Sequence, residues 1–184
     1  MKGHPLHSCV FGTELGFFGI AWNETGLARV ILPERARSTA ESRIAGYGAA
    51  DDAPPGFISR LIAEIRLYAA GEPVGFDWVP ADLAPLDAFE RDILAATRQL
   101  GFGKTTTYGA LAEAAGHPGM ARETGTALGR NPVPLVIPCH RVLAAGGAIG
   151  GFSAPGGIVT KRRLLAHERA TLPGANPAQA SFLF

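Results

Sequence analysis

Cysteine is scarce in this sequence: two residues, Cys9 and Cys139, among 184. Two thiols cannot build a disulfide framework, and alone they cannot complete a four-ligand structural zinc site. The pattern fits a reducing compartment, where a thiol stays free for chemistry. Long apolar runs are also missing. No stretch approaches the ~20 residues needed to span a bilayer, so no membrane partner is expected. The first ten residues carry Lys2, His4, Pro5 and His7 with no apolar core behind them. They do not read as a signal peptide, and a cytoplasmic location is the expectation. Charged residues make up only 18% and aromatics 8%, both within the globular range. What is present is apolar: 47% of the chain, enough for a sizeable core in one ordinary domain or two small ones.

The net charge of +1 says little about partners, but its distribution is uneven. Residues 1–84 hold seven Lys and Arg against ten Asp and Glu; residues 85–184 hold ten against six. The halves therefore carry −3 and +4. Either the basic half meets a polyanion, or small totals have fallen unevenly by chance.

Residues 6–12, 16–22 and 27–32 are short apolar segments separated by Thr13-Glu14 and Asn23-Glu24-Thr25-Gly26. This predicts a β-meander. A surface helix is expected over 34–45, a loop over 51–56, and a helix over 57–70 in which Phe57, Leu61, Ile65 and Tyr68 share a face. Gly71 ends that helix, and a short strand is expected over 76–79. From Leu86 the pattern turns helical: Leu86, Phe89, Ile93, Thr97 and Leu100 mark one face, opened by an Asp87…Glu90 capping box. Helices follow over 108–115 and 121–130, split by Gly116-His117-Pro118-Gly119. Two short helices around a Gly/Pro turn make a helix-turn-helix candidate. Pro134 and Pro138 predict an extended run up to Ile137. The last helix is expected over 160–168, with Thr160 as its N-cap, and residues 171–184 read as a loose tail.

Cys139 is the centre of the candidate chemistry. A thiol is a good nucleophile only as thiolate, and an unperturbed pKa of ~8.5 leaves a few per cent ionised near neutrality. His140 follows directly, then Arg141. In an extended segment neighbours point to opposite sides, so His140 is expected to reach the thiol through a water. The alternative is a buried, inert cysteine. Glu168 stands in the last turn of its expected helix, where the macrodipole disfavours an acid; it either orients a histidine or is solvated. Arg122, among small residues in the first turn of its helix, either enters a duplex or is an ordinary surface arginine. Tyr108 opens its helix and either meets a phosphate or base or packs in the core.

Together these residues resemble the O6-alkylguanine-DNA alkyltransferase family. The motif is Pro138-Cys139-His140-Arg141-Val142, with Asn131-Pro132 before it. Thr107-Tyr108-Gly109, Ala121-Arg122 with Gly125, Gly150-Gly151-Phe152, and Lys161 through Leu164-Leu165-Ala166-His167-Glu168 fit in order. The likeness covers about residues 86–169. It implies an α+β chain: a small ribonuclease H-like α/β domain over 1–84, then a mostly helical domain over 85–170 with a winged-helix-like helix-turn-helix. It also implies DNA repair by base flipping, with irreversible, stoichiometric transfer of a methyl or other alkyl group from O6-alkylguanine in duplex DNA to Cys139. O4-alkylthymine is a second candidate substrate. The protein would be a monomer, associated with the nucleoid when acting, and would need no cofactor. By resemblance, Cys139 accepts the alkyl group, His140 takes the thiol proton through a water, Glu168 orients His140, and Asn131 ties the turn. Arg122 replaces the flipped base in the stack, helped by Ala121, Gly125, Gly109 and His117 at the DNA. Tyr108, Val142, Ile149, Gly150, Phe152 and Ser153 form the pocket.

Phe152 stands where many members of that family have Tyr, and Ser153-Ala154-Pro155 lengthens the pocket loop. His4, His7 and Cys9 lack an evident fourth ligand, so zinc is not expected. A damage sensor without transfer is a weaker alternative, because such proteins lack the acceptor cysteine. An unrelated Cys–His thiol enzyme is disfavoured by the helix-turn-helix context.

Overall fold

The computed structural model describes residues 6–50 and 54–171. Its fold is mixed α and β, in two compact units. One takes the chain as far as Leu86 together with Pro132–Val136; the other takes Asp87–Asn131 and the chain from Ile137 onward. The sequence put one boundary between 84 and 85 and had no means of seeing that the segment before the cysteine motif packs with the first unit. The expected tail beyond Thr171, His4 of the considered zinc set, and residues 51–53 of the expected loop lie outside the described residues.

The first unit is built on the expected meander: β1 (His7–Thr13), β2 (Gly16–Trp22) and β3 (Leu27–Glu34). The hairpin between β1 and β2 closes because the Thr13 hydroxyl donates to Gly16 O at 2.8 Å and accepts from Leu15 N. At the next turn Asn23 Oδ1 accepts from Thr25 N and Gly26 N. A fourth strand, β4 (Ala49–Ala50), pairs parallel with β1 and gives the order β3-β2-β1-β4. Two exposed alanines carry no periodicity, which is why pattern reading passed over β4. Helix α1 (Arg37–Ile44) starts later than expected because Glu34 completes β3. Helix α2 (Gly56–Ala69) buries Ile58, Leu61, Ile65 and Tyr68. Each fully buried side chain of this size stabilises the unit by ~1.5–3 kcal/mol.

The strand expected over 76–79 does not form. Phe76 and Val79 are both buried, three residues apart rather than two. A turn with Val79 N donating to Phe76 O buries both, which an alternating strand could not.

In the second unit α3 (Ala88–Arg98) opens with the expected capping box: Asp87 accepts from Glu90 N, and Glu90 accepts from Asp87 N. Helices α4 (Tyr108–Ala114) and α5 (Ala121–Gly129) follow, Thr107 capping α4 by accepting from Ala110 N. Gly116 ends α4 with φ +83, and His117 N donates back to Ala112 O at 2.8 Å.

A two-stranded parallel ladder joins β5 (Thr106–Thr107) to β6 (Val142–Leu143). It positions the candidate site, because Tyr108 directly follows β5 and Cys139–Arg141 directly precede β6. The lead-in differs from expectation. Leu135 has φ +76, so a turn interrupts the run expected to be extended. The prolines restrain Val133 and Ile137, the residues before them, and leave Leu135 and Val136 free to turn. Cys139–Arg141 is one turn of 3-10 helix rather than an extended segment.

Helix α6 (Gly157–His167) begins three residues before the expected Thr160 cap. Its N-cap is Gly156, at φ +81, and the Thr160 hydroxyl donates to Pro155 O at 2.6 Å. Glu168 is its C-cap. No helix among the described residues is long and apolar enough to cross a membrane.

Candidate active site

The Pro138 ring holds the chain at φ −83 before a single tight turn, and that turn buries three polar side chains in succession: Cys139 (7% exposed), His140 and Arg141. Burying them requires partners. Asn131 supplies one: its Nδ2 donates to Ile137 O at 2.8 Å and to Cys139 Sγ at 3.3 Å. Glu168 supplies the other. Its carboxylate faces His140 Nε2 at 2.7 Å and accepts from Arg141 Nε at 2.8 Å, Arg141 Nη2 at 3.0 Å and Gly103 N at 3.1 Å. Gly103 can approach so closely because it lacks a Cβ: one would lie 2.9 Å from Glu168 O, and the local φ is +69.

The electrostatics follow from burial and these contacts. Burial alone would raise the Glu168 carboxyl, but the hydrogen bonds from His140 and Arg141, with the Arg141 charge, outweigh it and hold the group far below the usual carboxylate range. An ionised carboxylate only accepts, so His140 Nε2 carries the proton. His140 Nδ1 is buried with no hydrogen-bond partner among the described residues. Burial lowers the pKa of His140, as do Arg141 and Lys161, against the pull of Glu168. The ring therefore favours its neutral form.

Burial pushes the Cys139 thiol up, opposed by Asn131, the Lys161 charge and the local backbone N–H groups. At rest the group is a thiol. Neighbouring donors reduce the cost of ionising it without making it a standing thiolate.

Lys161, fully buried on α6, donates to Val142 O at 2.6 Å; its Nζ lies 3.4 Å from both Tyr108 Oη and Gly151 O. Burial lowers the pKa of its ammonium, and the Cys139 charge raises it. Tyr108 Oη donates to Gly151 O at 3.4 Å. Its pKa is raised by burial and by Cys139, which keeps the phenol a donor. The ring sits between two glycines: a Cβ on Gly150 would come within 3.1 Å of it, and one on Gly125 within 3.8 Å.

Cys139 opens into a cavity of about 410 Å³ lined by Tyr108, Ala121, Arg122, Gly125, Leu128, Gly129, Gly151, Phe152 and Ser153. That is within the size range of small-ligand sites. The α5 residues among them recur at helical spacing, so one face of that helix is the wall.

Of the residues singled out from sequence, Cys139, Tyr108, Ala121, Arg122, Gly125, Phe152 and Ser153 come together at the cavity, and Asn131, His140 and Glu168 come together behind it. Glu168 is buried, not solvated. Gly150 supports the wall by packing on Tyr108. Val142 contributes its carbonyl to Lys161 from a buried position rather than a lining side chain, and Ile149 is half-buried off the wall. Gly109 is exposed with open space around it. His117 is turned toward α3, with Nε2 3.0 Å from Asp92 Oδ2 and its ring edge-on to Phe89 at 4.8 Å.

Two site residues were given no role from sequence, Lys161 and Arg141. Lys161 precedes Leu164 and Leu165 by three and four positions, which places it on the inner face of α6. Arg141 opens the apolar run Val142-Leu143. Leu128 and Gly129 were also missed, although both continue the face set by Ala121 and Gly125. Among the described residues no group of three or more His, Cys, Asp or Glu side chains is placed to hold a metal ion.

A family model for the DNA-binding domain of 6-O-methylguanine DNA methyltransferase matches residues 88–170. A methylated-DNA–protein-cysteine methyltransferase of Methanothermobacter thermautotrophicus is 35% identical over 156 residues, 85% of this chain and 81% of that protein. One from Salmonella typhimurium is 33% identical over 162 residues, 85% of this chain and 91% of that protein. Among solved structures, Mycobacterium tuberculosis OGT in complex with DNA matches with a TM-score of 0.71 at 32% identity, covering 89% of this chain and 94% of that one. The chain belongs to the methylated-DNA–protein-cysteine methyltransferase family.

Proposed function

We propose that this protein repairs duplex DNA by moving a methyl or other alkyl group from O6 of a flipped guanine to Sγ of Cys139, once per molecule. The observation that carries this reading is the placement of Cys139: it opens into the cavity walled by α5 and Tyr108, and it is followed in the chain by the buried His140–Glu168 pair. A target base inside a duplex has to leave the stack to reach such a cavity, and a damaged pair costs less to open.

The chemistry balances with this chain's own groups. His140 Nδ1 is the one imidazole nitrogen left to accept, and it takes the Cys139 proton through a water. The thiolate attacks the alkyl carbon, the carbon–O6 bond breaks, and its electron pair stays on guanine. Tyr108 donates to the departing base, and the proton held at His140 restores neutral guanine. The thioether product is not readily hydrolysed, so the site is consumed. No redox or group-carrying cofactor is needed for this balance.

Arg122, exposed at the start of α5 and on the cavity wall, fills the space the base leaves. The helix-turn-helix of α4 and α5, with β5 and β6 beside it, is read as winged-helix-like, and the meander with its parallel fourth strand as ribonuclease H-like. One chain carries every group the reaction uses, which supports action as a monomer.

The test is a repair assay on a duplex bearing O6-methylguanine. The protein restores guanine, while Cys139→Ala still binds the duplex and leaves the lesion. Arg122→Ala slows repair in duplex but not transfer from the free base. Repair by Cys139→Ala would refute the assignment, and equal loss on both substrates would refute the role of Arg122.

A further inference from the structure

In the proposed reaction His140 acts as a base, so its ring has to rest neutral although Glu168, an anion, lies against it. Burial favours the neutral ring, and the charges around it act beside burial. Glu168 faces it from the end of α6, Lys161 from within α6, and Cys139 and Arg141 flank it in the same turn. Arg141 forks onto both carboxylate oxygens of Glu168, and its Nη1 donates to Leu100 O, so the guanidinium is fixed at three nitrogens. Such bidentate pairing is specific to arginine.

With Arg141 in place, Glu168 already has its counter-cation. The buried trio of Arg141, Glu168 and neutral His140 has no net charge. Protonating His140 would leave an uncompensated positive charge in a site that also faces Lys161. Without Arg141 the bookkeeping reverses, because Glu168 with protonated His140 then becomes the neutral combination.

We infer that Arg141 is a positioning residue for the transfer reaction: by neutralising Glu168 it keeps His140 an uncharged base with its proton on Nε2 and Nδ1 free to accept. The inference rests on the reading that His140 takes the Cys139 proton.

The test is the pH dependence of single-turnover transfer from an O6-methylguanine duplex. In Arg141→Met the acid-side inflection moves to higher pH, and the rate at neutral pH falls by about 10²-fold, the scale of a lost general base. Arg141→Lys keeps the charge, and its inflection stays with the parent protein while the rate falls less. A merely structural arginine would lower the amount of active protein in both variants and move neither inflection, which would overturn the inference.

Nitrogen NMR of His140 in the unsubstituted protein gives a second readout that needs neither a folded variant nor DNA. The ring is expected to be neutral, with its proton on Nε2, at and below the ordinary histidine pKa of ~6.5. A doubly protonated ring at pH 7, or a proton on Nδ1 alone, would overturn the inference even if repair proceeds. Absence of transfer with the expected ring state would instead count against the proposed function.

Discussion

Replacing Glu168 by Gln isolates the buried charge on which the site is organised. Glu168 is 2% exposed, and its partners include His140, two nitrogens of Arg141 and Gly103 N. Glutamine keeps the shape and one acceptor but leaves the buried Arg141 guanidinium without a counter-ion. Breaking a buried pair from one side costs about 3–5 kcal/mol. In a chain of this length each kcal/mol lowers Tm by roughly 2–4 °C, so a drop of ~6–20 °C is expected at pH 7.

The pH dependence has a definite sign. The folded pKa of Glu168 is depressed below the ordinary ~4.3 of an unfolded glutamate. Its contribution is complete above that unfolded value and is lost as pH falls toward the folded one. Urea melts at pH 7, 5, 4 and 3.5 should show a constant gap between parent and Glu168→Gln above about pH 5, narrowing below it. A gap under ~1 kcal/mol at pH 7, the scale of an exposed pair, would refute the reasoning. So would a gap that does not narrow in acid.

Other substitutions separate stability from chemistry. Thr124 Oγ1 is buried with no hydrogen-bond partner among the described residues, so Thr124→Val should stabilise the protein by about 1 kcal/mol in a urea melt; destabilisation would mean the hydroxyl is satisfied. Asp87→Ala removes the α3 capping box and should cost ~0.5–2 kcal/mol in the same assay without altering the alkylation rate of Cys139. Asn131→Ala removes a donor to Sγ, so the pH profile of Cys139 alkylation by iodoacetamide should move to higher pH; an unmoved profile would show that Asn131 acts only on the backbone. Tyr108→Phe keeps the ring between its glycines but loses the hydroxyl that meets Gly151 O; transfer should slow by about tenfold or more with duplex affinity little changed.

Much of this arrangement was legible in the sequence, for identifiable reasons. The meander, the α3 capping box and the glycine-broken pair α4 and α5 are local patterns, and local patterns survive folding. Cys139, Tyr108 and Arg122 were legible because their neighbours stand in a fixed order. What was not legible depends on contacts far apart in the chain. Local sequence left Glu168 either solvated or orienting a histidine, because its partners, His140 and Arg141, lie 28 and 27 residues away, and only the family resemblance gave it the second role. The strand expected over 76–79 failed because tertiary burial of Phe76 and Val79 overrode β-propensity. Thr160 was a plausible cap by residue type, but Gly156 and Gly157 at positive φ let α6 start earlier. Burial also changed the view of Cys139 itself. The sequence set a thiol deprotonated by His140 through a water against a buried, inert cysteine, and the structure holds a buried thiol, its pKa pushed up by burial, that opens into a cavity.

The most direct measurement is the mass of the Cys139 peptide after the protein meets a duplex with O6-methylguanine. That peptide alone is expected to gain one CH2, with one restored guanine per protein molecule and no further repair when fresh lesion is added. Catalytic turnover, an unchanged Cys139 peptide with the lesion removed, or methylation at Cys9 would contradict the proposed function.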